Sequence, residues 1–257
     1  MSSLAGRNVL VTGSTQGVGQ AIVIAAAKAG ANVVIHGLHA DDSAKETRRT
    51  CLETGVDAQL VTGDLTDSQG VQDIFDAALR ANPEIDTLVN NAGTYLDVPF
   101  IEMEYEHFDK TMRLNVYAYF FLTQYFARHW ITHSTAGRVL MIGSINGRLA
   151  EDVHTAYDTS KGGVEMMVKS VAVSLAKHNI RVNGLAPGLF YTPLTAKALD
   201  DPEFMHWMQQ HTPNGDVPGP EVCGESAIYL LSDAAKHVCG HMLMVDGGMS
   251  VWQQPDP

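Results

Sequence analysis

Val9-Leu10-Val11-Thr12-Gly13-Ser14-Thr15-Gln16-Gly17-Val18-Gly19-Gln20, continuing through an apolar stretch to Gly30, is the passage that decides the fold. Three consecutive aliphatic residues read as a short strand buried on both faces. The glycines come where that strand must turn into a helix, and the apolar pattern from Gln20 stops at Gly30, the residue type that ends helices. Glycines in such a turn tolerate positive φ and let backbone amides and the helix N-terminus face a pyrophosphate. The spacing is glycine, three residues, glycine, one residue, glycine. That differs from the G-x-G-x-x-G dinucleotide fingerprint, and glycine turns also occur for structural reasons alone.

Outward from this unit, short β-branched runs alternate with helical patterns to the end of the chain. The candidate strands are Val9 to Val11, Val33 to Ile35, Gln59 to Val61, Leu88-Val89, Arg138 to Ile142, Ile180 to Leu185 and Met242 to Val245. Near-continuous apolar strands separated by helices predict an α/β fold: a doubly wound, Rossmann-type, mostly parallel sheet with helices on both faces and right-handed crossovers. One segment breaks the alternation, Thr192 to Pro220, rich in Pro, Gly and Asp, with apolar Phe204, Met205, Trp207 and Met208 inside it. It reads as a mobile lid or as a plain surface loop.

The totals agree with one domain over residues 1–257, 45% hydrophobic and 18% charged. No apolar run approaches the ~18 residues of a membrane span. Met1 to Arg7 lead into the first strand without a basic-then-apolar leader, so export is not expected. Cys51, Cys223 and Cys239 have no metal or redox spacing and read as buried reduced thiols, which places the protein in the cytoplasm. A net charge of −12 repels nucleic acid and anionic lipid, so neither is an expected partner. His129/His133 and His237/His241 have helical spacing but no nearby third ligand, and no metal is expected. Lys45, Glu46, Arg48 and Arg49 read as a solvated helix face.

Three further elements follow the glycine turn in order: Asn90-Asn91-Ala92-Gly93 after the fourth strand, Tyr157-x-x-x-Lys161, and Pro187-Gly188 after the sixth. With Val245-Asp246-Gly247-Gly248 near the end, the chain resembles the short-chain dehydrogenase/reductase family over nearly its whole length. The resemblance implies a nicotinamide cofactor. Gly13, Gly17 and Gly19 would contact its diphosphate, Asp64-Leu65 would bracket the adenine, and Asn91-Ala92-Gly93 would line the ribose. Lys161 and Thr192 would hold the nicotinamide half, with Ser14, Gln16, Val18, Leu38, Tyr157, Pro187 and Gly188 completing the set.

Which nicotinamide depends on the end of the second strand, Ile35-His36-Gly37-Leu38-His39. Gly37 stands where an acid would accept the ribose hydroxyls of NAD. Neither Ser14 to Gly17 nor His36 to Ala40 supplies the Arg or Lys that a ribose phosphate calls for; only His36 and His39 could serve it, and Asp41 and Asp42 lie close by. Electrostatics therefore favours NAD over NADP.

Tyr157 and Lys161 are four apart in a pattern that predicts a helix over Ala156 to Lys177, so both project from one face. A phenol near its ordinary pKa of ~10 is a poor base at neutral pH, and a neighbouring ammonium favours the phenolate. By the resemblance, Ser144 orients the substrate oxygen and Asn115 holds a water that links Lys161 to solvent. Taken singly each residue has a plainer role: a surface pair, a cap, a local hydrogen bonder. Together they imply interconversion of a secondary alcohol and a ketone, or a lactol and a lactone, with Tyr157 moving the proton.

Tyr95, Ser144, Asn146, Arg148, His154, Leu189 and Phe190 are expected around the reacting carbon, although His154 also reads as a loop residue. Amide, imidazole, phenol and guanidinium groups suit a sugar, polyol or hydroxy acid. A 3-oxoacyl-carrier-protein reductase is the alternative enzyme, but docking an acidic carrier needs a basic patch, and only Arg128, His129 and Lys169 are available for one. A non-catalytic dinucleotide-binding module is the second alternative. Tyr117, Phe120, Phe121, Tyr125 and Trp130 form an aromatic stripe, read as core or subunit face. In the family such a helix packs on a partner subunit, which implies a homotetramer, or at least a dimer.

Overall fold

The computed structural model describes residues 3–253, so Met1 and Ser2 of the opening stretch lie outside it. Seven strands form one sheet in the order β3-β2-β1-β4-β5-β6-β7, and every pairing is parallel. They are β1 (Asn8–Val11), β2 (Asn32–Gly37), β3 (Ala58–Thr62), β4 (Thr87–Asn90), β5 (Arg138–Ile142), β6 (Arg181–Pro187) and β7 (Met242–Val245). The apolar runs had located all seven. The largest differences are at the ends, where β2 runs two residues further to Gly37 and β6 two further to Pro187.

Both faces of the sheet are covered, and the strands show why their sequences are nearly continuous in apolar residues. Along β1, Val9 and Val11 enter one core with Val33, Ile35 and Val89, while Leu10 enters the other with Val34 and Leu88. All three β1 side chains are fully buried, and full burial of each contributes about 1.5–3 kcal/mol. An acid at position 10 would meet no partner in that core and would break it.

The helices are α1 (Gly17–Lys28), α2 (Asp42–Leu52), α3 (Ser68–Ala81), α4 (Tyr105–Met112), α5 (Ala118–Thr132), α6 (Thr155–Leu175), α7 (Ala196–Leu199), α8 (Pro202–Gln210) and α9 (Val222–Leu231). Gly30, at φ +92°, lets the chain leave α1, and Ala31 N–H then bonds the Ala26 carbonyl. Asp41, Asp67 and Asp201 cap α2, α3 and α8 through their carboxylates.

Two expectations need correction. The 192–220 segment, read as lid or loop, contains α7 and α8; Asp201-Pro202 supplies the cap and first-turn proline that start α8. Cys51 and Cys223 are buried, but Cys239 is exposed, because it lies in the turn before β7 rather than in a core element. In the aromatic stripe, Trp130 is buried while Tyr117, Phe120 and Phe121 remain exposed.

β1 lies beside both β2 and β4, so the sheet order reverses there, and the crevice beyond the carboxyl ends of these strands is where open α/β sheets bind ligands.

Candidate active site

A cavity of about 610 Å³ occupies that crevice. Its lining runs from the glycine turn (Gly13, Gln16, Gly17, Val18) past Leu38, Asp64 and Leu65, then Asn91, Ala92 and Gly93, to Ser144, Tyr157, Lys161, Pro187, Gly188, Phe190 and Thr192. Residues from seven separate loops and helices thus meet around one space. Its size lies within the ~300–1,000 Å³ range of small-molecule and cofactor pockets.

The turn at the end of β1 is drawn tight by its neighbours. Thr12 Oγ1 accepts from the N–H groups of Asn91 (2.9 Å) and Ala92 (3.1 Å), and Asn91 Nδ2 donates to the carbonyls of Thr12 and Gly13, both at 2.9 Å. This closeness is what requires glycine. A Cβ on Gly19 would sit 2.3 Å from Asn91 Nδ2, and one on Gly13, where φ is +58°, 2.7 Å from Ala92 Cα. Gly17 also has positive φ but open space around it. The N-terminus of α1 has no acid in its first turn and, unlike those of α2, α3 and α8, no side-chain cap. Its free amides and positive dipole end face the cavity, so the residues present fit a dinucleotide pyrophosphate.

Ser14 and Gly19, placed in the cofactor set by resemblance, do not line the cavity. Ser14 is fully buried; its hydroxyl donates to the Val11 carbonyl (2.7 Å) and accepts from His36 N–H (3.1 Å), which ties β1 to β2. Gly19 acts by leaving room for Asn91. His36, weighed from the sequence as a partner for a ribose phosphate, has a ring that lines the cavity and braces the turn instead. His36 Nδ1 accepts from Gly13 N–H at 3.0 Å and Nε2 donates to the Gly63 carbonyl at 3.2 Å, which fixes the neutral tautomer. Burial lowers its pKa to about 4. Both nitrogens are engaged, so His36 offers no charge to a ribose phosphate.

At the other end, β5 delivers Ser144 and α6 presents Tyr157 and Lys161 one turn apart. Lys161 is buried, with Nζ 2.9 Å from the Ile142 carbonyl and 5.5 Å from the Tyr157 ring centre. Burial lowers its pKa to about 8. Burial likewise raises the Tyr157 phenol to about 12, while a hydrogen bond with Ser144 acts in the opposite direction and the carboxylates of Asp158 and Glu151 add to the rise. Asn146, expected at the substrate, instead supports the serine: it is buried, its N–H donates to Ser144 Oγ at 3.1 Å, and its amide donates to Glu151 and Asp158, each at 2.9 Å.

Asn115 is fully buried behind Gly93, in a wide turn over Arg113–Tyr117 that joins α4 to α5. Its amide exchanges two 2.9 Å hydrogen bonds with the Thr94 backbone and donates at 3.0 Å to Ser160 Oγ, which in turn donates to the Tyr157 carbonyl. The side chain therefore latches the ribose loop to the catalytic helix. Tyr95 and His154, expected around the reacting carbon, do not line the cavity but flank Tyr157, with ring centres 5.9 and 6.1 Å away. Arg148 does not face the site; Glu165 holds its guanidinium through three hydrogen bonds. Leu189 lines a separate cavity of about 160 Å³, with Phe190 forming a wall between the two.

A glycine turn for a dinucleotide joined to a Ser-Tyr-Lys group on one crevice defines a nicotinamide-dependent oxidoreductase. A family model described as "Enoyl-(Acyl carrier protein) reductase" matches residues 13–250. The chain is 34% identical to an L-rhamnose 1-dehydrogenase (NAD(P)(+)) of Sphingomonas sp., covering 98% of this chain and 99% of the relative. It is 36% identical to the gluconate 5-dehydrogenase of Gluconobacter oxydans, over 97% and 96% of the two chains. The structure of a gluconate 5-dehydrogenase from Burkholderia cenocepacia, in complex with NADP and tartrate, superposes with a TM-score of 0.91 at 33% identity, covering 98% of each chain. The chain belongs to the short-chain dehydrogenase/reductase family and is an NAD(P)-dependent oxidoreductase acting on CH–OH groups. Among the described residues, no helix is long and apolar enough to cross a membrane.

Proposed function

We propose that this enzyme interconverts a hydroxyl and a carbonyl on a small sugar or polyol, with Tyr157 as acid/base. The observation that carries the reading is the convergence of Ser144, Tyr157 and Lys161 on the cavity that the glycine turn opens. Ser144 holds the substrate oxygen against the phenol. Lys161, the buried cation beside Tyr157, favours the phenolate once the phenol gives up its proton. In oxidation Tyr157 takes the hydroxyl proton, and in reduction it returns it. When bound at the glycine turn, the nicotinamide cofactor supplies the hydride acceptor or donor. Asn115 acts on this step by fixing the backbone of Tyr157 through Ser160.

For the cofactor we propose NAD over NADP. No cation stands at Gly37-Leu38, Leu38 is half exposed there, and His36 is neutral with both nitrogens engaged. Solved relatives that hold NADP argue the other way, so the comparison of kcat/KM with the two cofactors decides the point. The exposed faces of Tyr117, just before α5, of Phe120 and Phe121 on α5 and of Met166 and Val173 on α6 support a homotetramer, or at least a dimer. Light scattering of wild type and Phe121→Glu tests the assembly.

The experiment for the function is the rate of nicotinamide reduction with a panel of neutral sugars, polyols, aldonates and simple secondary alcohols. A sugar or polyol turned over well above simple alcohols supports the reading; turnover of simple alcohols alone contradicts it. Tight cofactor binding without turnover of any member in either direction favours the binding module.

A further inference from the structure

Beside Tyr157, next to the residues that line the cavity rather than among them, the structure carries an arrangement of charge. Tyr95, His154 and Tyr157 form a cluster of three rings, with Tyr95 and His154 5.2 Å apart, so His154 stands one ring away from the acid/base. The imidazole is gripped from both sides. Nε2 lies 2.6 Å from Asp97 Oδ1, and Nδ1 lies 3.2 Å from Glu151 Oε2, aligned for an ion pair but not for a hydrogen bond. Glu151 is itself tied down: Oε1 accepts from Asn146, and its backbone N–H donates to Asp158 Oδ2 at 3.0 Å. Two carboxylates, Asp97 and Glu151, thus flank a single imidazolium, and one negative charge stays uncompensated.

Among the described residues no second ion pair corrects the balance: Lys110 lines the cavity from α4 but pairs with neither Asp97 nor Glu151. Arg148 is held by Glu165, and Lys161 sits behind the phenol against the Ile142 carbonyl. The Tyr95 hydroxyl is turned towards the Leu194 carbonyl. Asp97 occupies Nε2, and Nδ1 is buried beside Glu151, so the imidazolium has no N–H left for a carboxylate on a ligand. Asp97 and Glu151 are more than half exposed, at 62% and 55%, so beside His154 they retain lone pairs open to solvent. Such oxygens accept hydrogen bonds from sugar hydroxyls and repel an approaching anion.

We propose that this enzyme takes neutral sugars in preference to their carboxylate-bearing counterparts, and that Asp97 and Glu151, set around His154, are the residues that make the choice. The proposal rests on the sugar reading above and goes further, because relatives of this chain include both an L-rhamnose 1-dehydrogenase and gluconate 5-dehydrogenases. Glu151 raises the His154 pKa to about 9, with Asp97 adding to the effect against that of burial, so the imidazolium persists through neutral pH.

The test measures kcat/KM for L-rhamnose, D-glucose and D-gluconate with wild type and with the double variant Asp97→Asn, Glu151→Gln, at low and high salt. Wild type is expected to favour a neutral sugar over gluconate by about tenfold or more. Each removed charge should narrow that ratio about threefold, mainly through the KM for gluconate, and salt should narrow it further. A wild-type preference for gluconate, or a ratio that neither the variant nor salt moves, overturns the proposal. Turnover of neither class, with cofactor binding intact, overturns the sugar reading as well and is told apart from the first result by the missing rates.

Should the double variant fail to fold, inhibition of wild-type sugar turnover by gluconate and by glucitol replaces it. Gluconate is expected to inhibit the more weakly and to gain strength with salt; equal inhibition at low salt overturns the proposal.

Discussion

His36 lines the cavity beside the glycine turn while His154 stands next to Tyr157, and the contrast between them separates the two halves of the site. His36 is enclosed by backbone, with an amide on one nitrogen and a carbonyl on the other, and burial holds it neutral with a pKa near 4. His154 lies between two carboxylates, and they hold it charged with a pKa near 9. The same side chain is a brace in one place and a counter-ion in the other. The deciding factor is whether its neighbours are dipoles or charges. The cofactor end is accordingly built from close backbone contacts, and the substrate end from ionisable groups.

If the two ends are this distinct, they should fail separately. The largest effect is expected from Gly13→Ala, which combines positive φ with a Cβ 2.7 Å from Ala92 Cα. Strain and overpacking together should cost about 3 kcal/mol of stability and abolish cofactor binding, as read by thermal denaturation and cofactor titration. A variant that kept wild-type cofactor affinity would show that the turn is not as tightly built as described.

Tyr157→Phe should do the reverse, lowering kcat about 10³-fold while cofactor affinity holds. Next in size, Leu38→Arg should raise kcat/KM with NADP about tenfold and leave the sugar KM unchanged, since it adds the missing cation to the cofactor end alone. A change in the sugar KM would blur the division between the ends.

The two histidines give the smallest effects, and these have opposite signs. For His36 the unfolded chain, with the ordinary value of 6.5, binds a proton that the native state does not, so stability is lost as pH falls from 6.5 towards 4. For His154 the native state holds the proton, so its contribution is complete below 6.5 and is lost as pH rises through 9. Melting temperature against pH should therefore slope down on both sides. His36→Asn should flatten the acid limb and His154→Gln the alkaline one; a variant that flattened the wrong limb would invert the assignment.

Sequence reading reached the sheet because strands buried on both faces carry unbroken aliphatic runs, as in Val9 to Val11. The spacing of Tyr157 and Lys161 put both on one helix face, and Ser144, named by resemblance, lines the same cavity. Sequence reading missed what only tertiary pairing creates. His36 looks like any polar interruption of a strand until β2 pairs with β1 and brings its ring to Gly13. Asp97 and Glu151 showed no signal, because Asp97 meets His154 across 57 positions of chain. Ser14 and Gly19 were over-read for the opposite reason, since a motif marks residues that shape a turn as well as those that touch a ligand. The helix α8 was legible in Asp201-Pro202 but hidden among loop-forming residues.

The central claim is that a cofactor end and a proton-transferring end meet at Tyr157. The most direct measurement pairs the rate of nicotinamide reduction on a neutral sugar with the dissociation constant of the cofactor, for wild type and Tyr157→Phe. The account predicts a rate lower by about 10³-fold with cofactor binding unchanged. A phenylalanine variant that turns over within a few fold of wild type would contradict it.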